Sequence, residues 1–341
     1  MLIADSTGRT WPQRGTWIQE MKLVGPDDVV TISDASGSSA SIMPGFGFNC
    51  FSFKVQTAAG LIETLYAQPG FNSRSSPLAS GIPVLFPFGG RLVGDTFTWE
   101  GKTYTVTDTP TLNGNSLHGF VIVQPWRIVE QTASRVVGEF QASVDDPGLL
   151  EQWPSDFLIR MSYEITANAL VSKITLHNPS PDRMPYGFTT HGYYAVPLGG
   201  SRADACRITV PANKTWELDA DVLPTGATIP VDNQNDLRSG PAYGDIELDA
   251  IYTDVIPEAD GTLVMSIRDP ESNLTLRIIS TGPFREFVVY TPPHRQAIAL
   301  EPYTCCPTTF DLEERGFDAG LRVLEPRQSE ELRIEIRLDV N

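Results

Sequence analysis

Residues 156–178, DFLIRMSYEITANALVSKITLHN, alternate apolar and polar side chains with a period of two. Phe157, Ile159, Met161, Tyr163 and Ile165 fall on one face of an extended chain, and Arg160, Ser162, Glu164 and Thr166 on the other. In the second half, Leu170, Ile174 and Leu176 point inward. Successive side chains of a strand face opposite ways, so this pattern predicts half-buried strands rather than helix. TLVMSIRD (262–269) repeats it with Leu263, Met265 and Ile267 inward, and NLTLRIIS (273–280) with Leu274, Leu276 and Ile278. LRIEIRLDV alternates from Leu332 to Val340, with Arg333, Glu335, Arg337 and Asp339 outside. Half-buried strands joined by short turns predict an antiparallel sheet protein. Strand patterning runs from about Val29 to Val340 without an internal repeat, low-complexity block or linker. The economical organisation is one large all-β domain over residues 1–341, with residues 1–25 available as an outer wrap. ETLYAQ, around Leu65, fits either a short helix or a strand.

Composition narrows the partners. The chain carries 42 Asp and Glu against 25 Lys and Arg, a net charge of −17. Such an acidic protein is a poor partner for nucleic acid or an anionic membrane, both polyanions. Its 28 glycines and 27 prolines suit many turns and fall short of a disordered composition. The four cysteines, Cys50, Cys206, Cys305 and Cys306, show neither a disulfide framework nor zinc-ligand spacing. No apolar run reaches the length of a membrane-spanning helix, and residues 1–15 lack the basic and apolar regions of a signal peptide. A cytoplasmic location is the expectation.

The candidate chemistry is sparse. MPYGFTTHGYYAVP (184–197) places His191 in a strand-like stretch, either on a solvated face or at the floor of a polar cleft flanked by aromatic rings. His118, next to Gly119 after the turn TLNGNS, is either a cleft group or a turn histidine bonded to backbone. His177 and His294 read as turn and loop residues. No histidine pair has metal-ligand spacing, so no metal is expected. In HRQAIALEPY, Ala297, Ala299 and Glu301 share a face; either the alanines leave volume for a ligand beside the carboxylate, or Glu301 reaches solvent at the strand end. Asp249 reads alone as a loop carboxylate. GIPVLFPFGGRL (81–92) is broken by Pro83 and Pro87, which excludes a regular central strand. It delivers Arg91 after two glycines, for an oxygen-rich ligand or for a surface ion pair.

Taken in order, GIPVLFPFGGRL, LHGF (117–120), QWPSDF (152–157), MPYGFTTHGYYAVP, LDAIY (248–252) and ALEPY (299–303) resemble the aldose 1-epimerase, or mutarotase, family over residues 45–340. The resemblance implies a large antiparallel β-sandwich with a concave carbohydrate-binding face. It implies Glu301 as general base and His191 as general acid, with Arg91, His118 and Asp249 holding sugar hydroxyls. The activity it implies is anomer interconversion of an aldose, with no metal, nucleotide or other cofactor, by a monomer or homodimer. Two positions depart from the family: Gly192 stands where proline is frequent, and Gly90 where asparagine is frequent. Tyr193, Trp153 and Phe120 are either stacking partners for a sugar or core rings. The alternatives are a hexose 6-phosphate mutarotase, with Arg74, Arg183 or Arg295 as phosphate clamp, and a non-catalytic sugar-binding protein on the same fold. A dianionic sugar phosphate wants several cationic donors, which favours a neutral sugar.

Overall fold

The alternating stretches pair as antiparallel strands. Leu158–Thr166 and Ala169–His177 form a hairpin in which Met161 faces Ile174 and Ile159 faces Leu176. The computed structural model describes residues 28–71 and 78–341, and outside them only the backbone pairing of Ile3–Ala4 with Thr10–Trp11. The rest of the outer wrap expected for residues 1–25 lies outside the described residues, as does Arg74.

Two eight-stranded sheets carry the architecture. The back sheet runs, edge to edge, through Arg127–Gln131, Arg135–Gln141, Leu158–Thr166, Ala169–His177, Ser329–Val340, Leu274–Thr281, Leu263–Asp269 and Arg207–Thr209. The front sheet runs through Pro224–Pro230, Ala212–Leu218, Asp249–Val255, Glu286–Tyr290, Ala297–Tyr303, Thr189–Thr190 and Val84–Leu85, and Tyr193–Ala195 also pairs with Ala297–Tyr303. Met161, Met265, Leu276, Ile278 and Ile336 from the back sheet join Tyr252, Phe287, Val289, Ile298 and Leu300 from the front sheet in one buried core. Burying such side chains contributes about 1.5–3 kcal/mol each, which fixes register. The protein is therefore an all-β antiparallel sandwich, with two short α-helices, Ala142–Asp145 and Thr309–Glu314, among the described residues.

Differences from the sequence reading are local. Val340 ends the last strand but is 69% exposed, because the partner strand stops at Leu274 opposite it. Leu65 makes an isolated bridge to Tyr194 just beyond Gly60–Glu63, so ETLYAQ is extended. Val84–Leu85 is an edge strand, as the flanking prolines demand. All four cysteines are unbridged and buried. No helix of the described residues is long and apolar enough to cross a membrane.

Candidate active site

The outward face of the front sheet gathers the polar residues. In Ala297–Tyr303, Ile298 and Leu300 enter the main core, so Ala297, Ala299, Glu301 and Tyr303 must face the other way. Glu301 is 1% exposed and pairs across the sheet with Val288. His191 sits between the two short strands that flank this one, held by its N–H donating to the Pro83 carbonyl at 2.9 Å. Its Nε2 lies 3.4 Å from Glu301 Oε1 and 3.4 Å from the Tyr193 hydroxyl. The imidazole stacks on the Tyr193 ring at 4.5 Å. Glu301 accepts a second contact on Oε2, from the Tyr303 hydroxyl at 3.2 Å. Sequence reasoning missed Tyr303, although its place two residues beyond Glu301 in a period-two strand was the signal for it.

His118 closes the site from the neighbouring loop. Its φ is +65°, and the adjacent Gly119 has φ +71°. That turn sets its ring edge-on to His191, with centroids 5.5 Å apart. His118 Nδ1 accepts the Gly90 N–H at 3.2 Å, so the neutral ring carries its proton on Nε2, where it can donate to a ligand oxygen. His118 is thus both the backbone-bonded turn histidine and a site group. The turn tolerates only glycine at 119: a Cβ there would stand 2.3 Å from the Phe86 carbonyl oxygen. Gly119→Ala is expected to cost about 1–3 kcal/mol through strain and overlap, read as a lower urea midpoint at unchanged m-value.

Arg91 and Asp249 stand at the rim. The Arg91 guanidinium donates to the Val222 carbonyl at 2.7 Å, which tethers it without a carboxylate partner there. Asp249 opens the strand Asp249–Val255 rather than lying in a loop, is exposed, and shares the Glu301 face through its register with Tyr290. Both family departures have local causes. A Cβ at Gly192 would sit 2.5 Å from the Tyr194 hydroxyl, and one at Gly90, where φ is +68°, 2.5 Å from Pro307 Cβ.

Three expectations are corrected. Trp153 and Phe120 are core rings, packed on Phe88 and Phe157. The space above Ala297 and Ala299 is not open, because Tyr193, Tyr66 and Tyr290 pack over it. Arg183 and Arg295 are committed elsewhere: Arg183 to Glu100 and Glu325, and Arg295 to the Tyr243 and Ile246 carbonyls. Sequence reasoning also missed His294, which stacks on Tyr66 at 4.5 Å in this aromatic wall, and Glu286, fully buried on the same face. The Trp216 indole donates to Glu286 at 3.2 Å, and burial pushes this carboxyl up to about 7.

The electrostatics favour neutral forms. Burial drives Glu301 well above the ordinary carboxylate range, and the Asp249 charge adds to this, while the Tyr303 hydroxyl opposes it. Burial pushes His191 down to about 3. His118 is lowered strongly by burial, then by His191 and Arg91. Asp249, solvent-accessible at the rim but crowded by protein, is raised by partial desolvation and partly restored by Arg91. Burial thus favours the uncharged form of each partner, a carboxyl on Glu301 and a neutral imidazole on His191.

A sequence model of the family described as aldose 1-epimerase matches residues 28–337. An uncharacterised Escherichia coli protein, YihR, is 23% identical over 289 residues, spanning 83% of this chain and 89% of its own. Among solved structures, a galactose mutarotase-like protein from Clostridium acetobutylicum is 22% identical, with TM-score 0.80 over 90% of this chain and 94% of that one. An aldose epimerase homologue from C. elegans is 19% identical, with TM-score 0.75 over 92% of this chain and 99% of that one.

Proposed function

Because the chain belongs to the aldose 1-epimerase family, we propose that it interconverts the α and β anomers of a neutral aldose by acid–base ring opening at the His191–Glu301 pair. The observation that carries this reading is the buried His191–Glu301 pair itself, 3.4 Å apart. Anomer exchange needs a base for the anomeric hydroxyl proton and an acid for the ring oxygen. Both oxygens are bonded to the same carbon, so the two groups must stand close together. A bound sugar donates its anomeric hydroxyl to Glu301 and accepts at the ring oxygen from His191. That geometry stabilises the carboxylate–imidazolium arrangement that burial alone disfavours. The proton passes from imidazolium to ring oxygen while Glu301 takes the hydroxyl proton, and C1–O5 opens. After rotation about C1–C2, the transfers reverse on the other face. Tyr303 stabilises the Glu301 carboxylate by donating to Oε2, and His118 donates to a sugar oxygen.

A neutral substrate is favoured because Arg183 and Arg295 are already committed, which leaves Arg91 as the rim cation among the described residues. NMR exchange spectroscopy on anomers of neutral aldoses and hexose phosphates is the test. Exchange accelerated for a neutral aldose is expected; acceleration confined to phosphates, or to no sugar, overturns the reading.

Asp249 gives this site a second measurable handle. Asp249→Asn removes a charge-assisted contact to sugar hydroxyls, typically about 1.5–3 kcal/mol, so KM is expected to rise about 10–100-fold. The same change removes the negative charge that lifts Glu301, so the alkaline limb of kcat/KM is expected to move to lower pH. An unmoved alkaline limb would place Asp249 outside the electrostatics of the pair.

A further inference from the structure

The outer face of the back sheet, on the far side of the sandwich from the cleft, carries arginines that the mutarotase reading does not use. Arg207, Arg268 and Arg277 come from three adjacent strands, Arg207–Thr209, Leu263–Asp269 and Leu274–Thr281. Ile208, Ile267 and Leu276 enter the core, so the alternating arginines point outward. With Thr209, Ser239, Gly240, Ser266, Thr275 and Asn341 they line an open surface cavity of about 620 Å³. That volume lies within the range of small-molecule sites.

The charge arrangement is costly unless something compensates it. Arg207 stands directly opposite Arg268 in the antiparallel register, and like charges in that relation destabilise a sheet. Neither guanidinium forms an ion pair or a side-chain hydrogen bond among the described residues. Arg277 is paired, with Asp339 at 3.0 Å. Other arginines on this face are paired, Arg135 with Glu130 and Glu164, Arg333 with Glu335, and Arg337 with Glu335 and Asp339, while the lone Arg160 has no cationic neighbour directly opposite it. Among the described residues no Asp or Glu is placed against Arg207 or Arg268. At the cavity edge the Asn341 amide donates to the Thr275 hydroxyl at 2.7 Å, and Asn273 donates to the Asn341 main-chain oxygen, so these groups are already engaged.

We propose that the cavity between Arg207, Arg268 and Arg277 is a binding site for a phosphate- or sulfate-bearing small molecule, distinct from the sugar cleft. Two unpaired guanidinium forks beside serine and threonine hydroxyls match the donor demand of a tetrahedral oxyanion. The remaining cavity volume accommodates an organic group esterified to it. In an acidic protein the long-range field opposes anions, so binding depends on these local donors and weakens with salt.

The test uses the whole chain and two variants, Arg207→Gln and Arg268→Gln. Thermal unfolding and calorimetry are run with inorganic phosphate, glucose 6-phosphate and glucose, against chloride at matched ionic strength. At about tenfold excess over Kd, phosphate is expected to raise Tm by about 1–3 °C relative to chloride. Each variant is expected to weaken phosphate binding at least about tenfold. Without ligand, each variant is expected to be as stable as the parent or more so, because a like-charge contact is relieved. Anomer exchange is expected to be unchanged in both, since neither residue touches the cleft. Tighter binding of glucose 6-phosphate than of phosphate, lost in the same variants, identifies an ester as ligand, and equal binding identifies the free anion. Phosphate no more stabilising than chloride, binding retained in both variants, or lower ligand-free stability of the variants would each overturn the proposal.

Discussion

Glu301→Gln is expected to lower anomer-exchange turnover by at least about 10²-fold while raising thermal stability at pH 8. The first effect follows from removing the group that exchanges a proton with the anomeric hydroxyl while keeping its shape and its contact with Tyr303. The second follows from linkage. Glu301 is raised by burial and by Asp249, so the folded state binds its proton more tightly than the unfolded chain does. A raised carboxyl contributes stability that is complete below its unfolded value, about 4.3, and that is lost as pH rises through the folded value. Glutamine never ionises and escapes that loss. The Tm advantage of the variant should therefore shrink as pH falls toward 4. Thermal unfolding at several pH values checks it: a Tm difference independent of pH would remove the assigned burial cost, and near-parental exchange would remove Glu301 from the chemistry.

The sheet architecture was legible because it depends on a one-dimensional signal. Met161, Met265, Leu276 and Ile336 all lie where period two puts them, and their burial fixes register. Position within the sandwich was not legible. Trp153 and Phe120 follow the same local rules as Tyr193, yet the first two enter the core and only Tyr193 reaches His191. Only the pairing of distant segments decides which side of a sheet a residue takes. The same limit hid Arg295, whose neighbours in sequence say nothing of the Tyr243 and Ile246 carbonyls that hold it. At the site, Glu301 and His191 were readable from their motifs, but their shared environment was not. Ordinary values of about 4.3 and 6.5 suggest an ionised pair at neutral pH, whereas burial of both favours the uncharged arrangement. The departures at Gly90 and Gly192 likewise needed coordinates. Pro307 and the Tyr194 hydroxyl occupy the space that a side chain at those positions would need. Substitution there is a packing matter before it is a question of substrate.

His191→Asn tests whether the two groups act as one device. Asparagine retains a hydrogen-bonding side chain near Glu301 but cannot become an imidazolium, so turnover is expected to fall by at least about 10²-fold. The stability effect should run opposite in pH to that of Glu301. Burial depresses His191 to about 3, so its neutral form contributes stability that is present above the unfolded value, about 6.5, and is lost as pH falls through the folded one. The variant should therefore gain stability relative to the parent as pH falls from 6.5 toward 4. The decisive measurement is the double variant carrying both His191→Asn and Glu301→Gln. If acid and base worked on separate steps, their losses would multiply, to about 10⁴-fold or more. In ring opening both protons move around one carbon, so removing either group leaves the other without a productive transfer. The double variant is then expected to be within about tenfold of the worse single one, the non-additivity of residues that act as a unit. Multiplicative losses would show that Glu301 and His191 contribute independently, and their action as a unit would have to be abandoned.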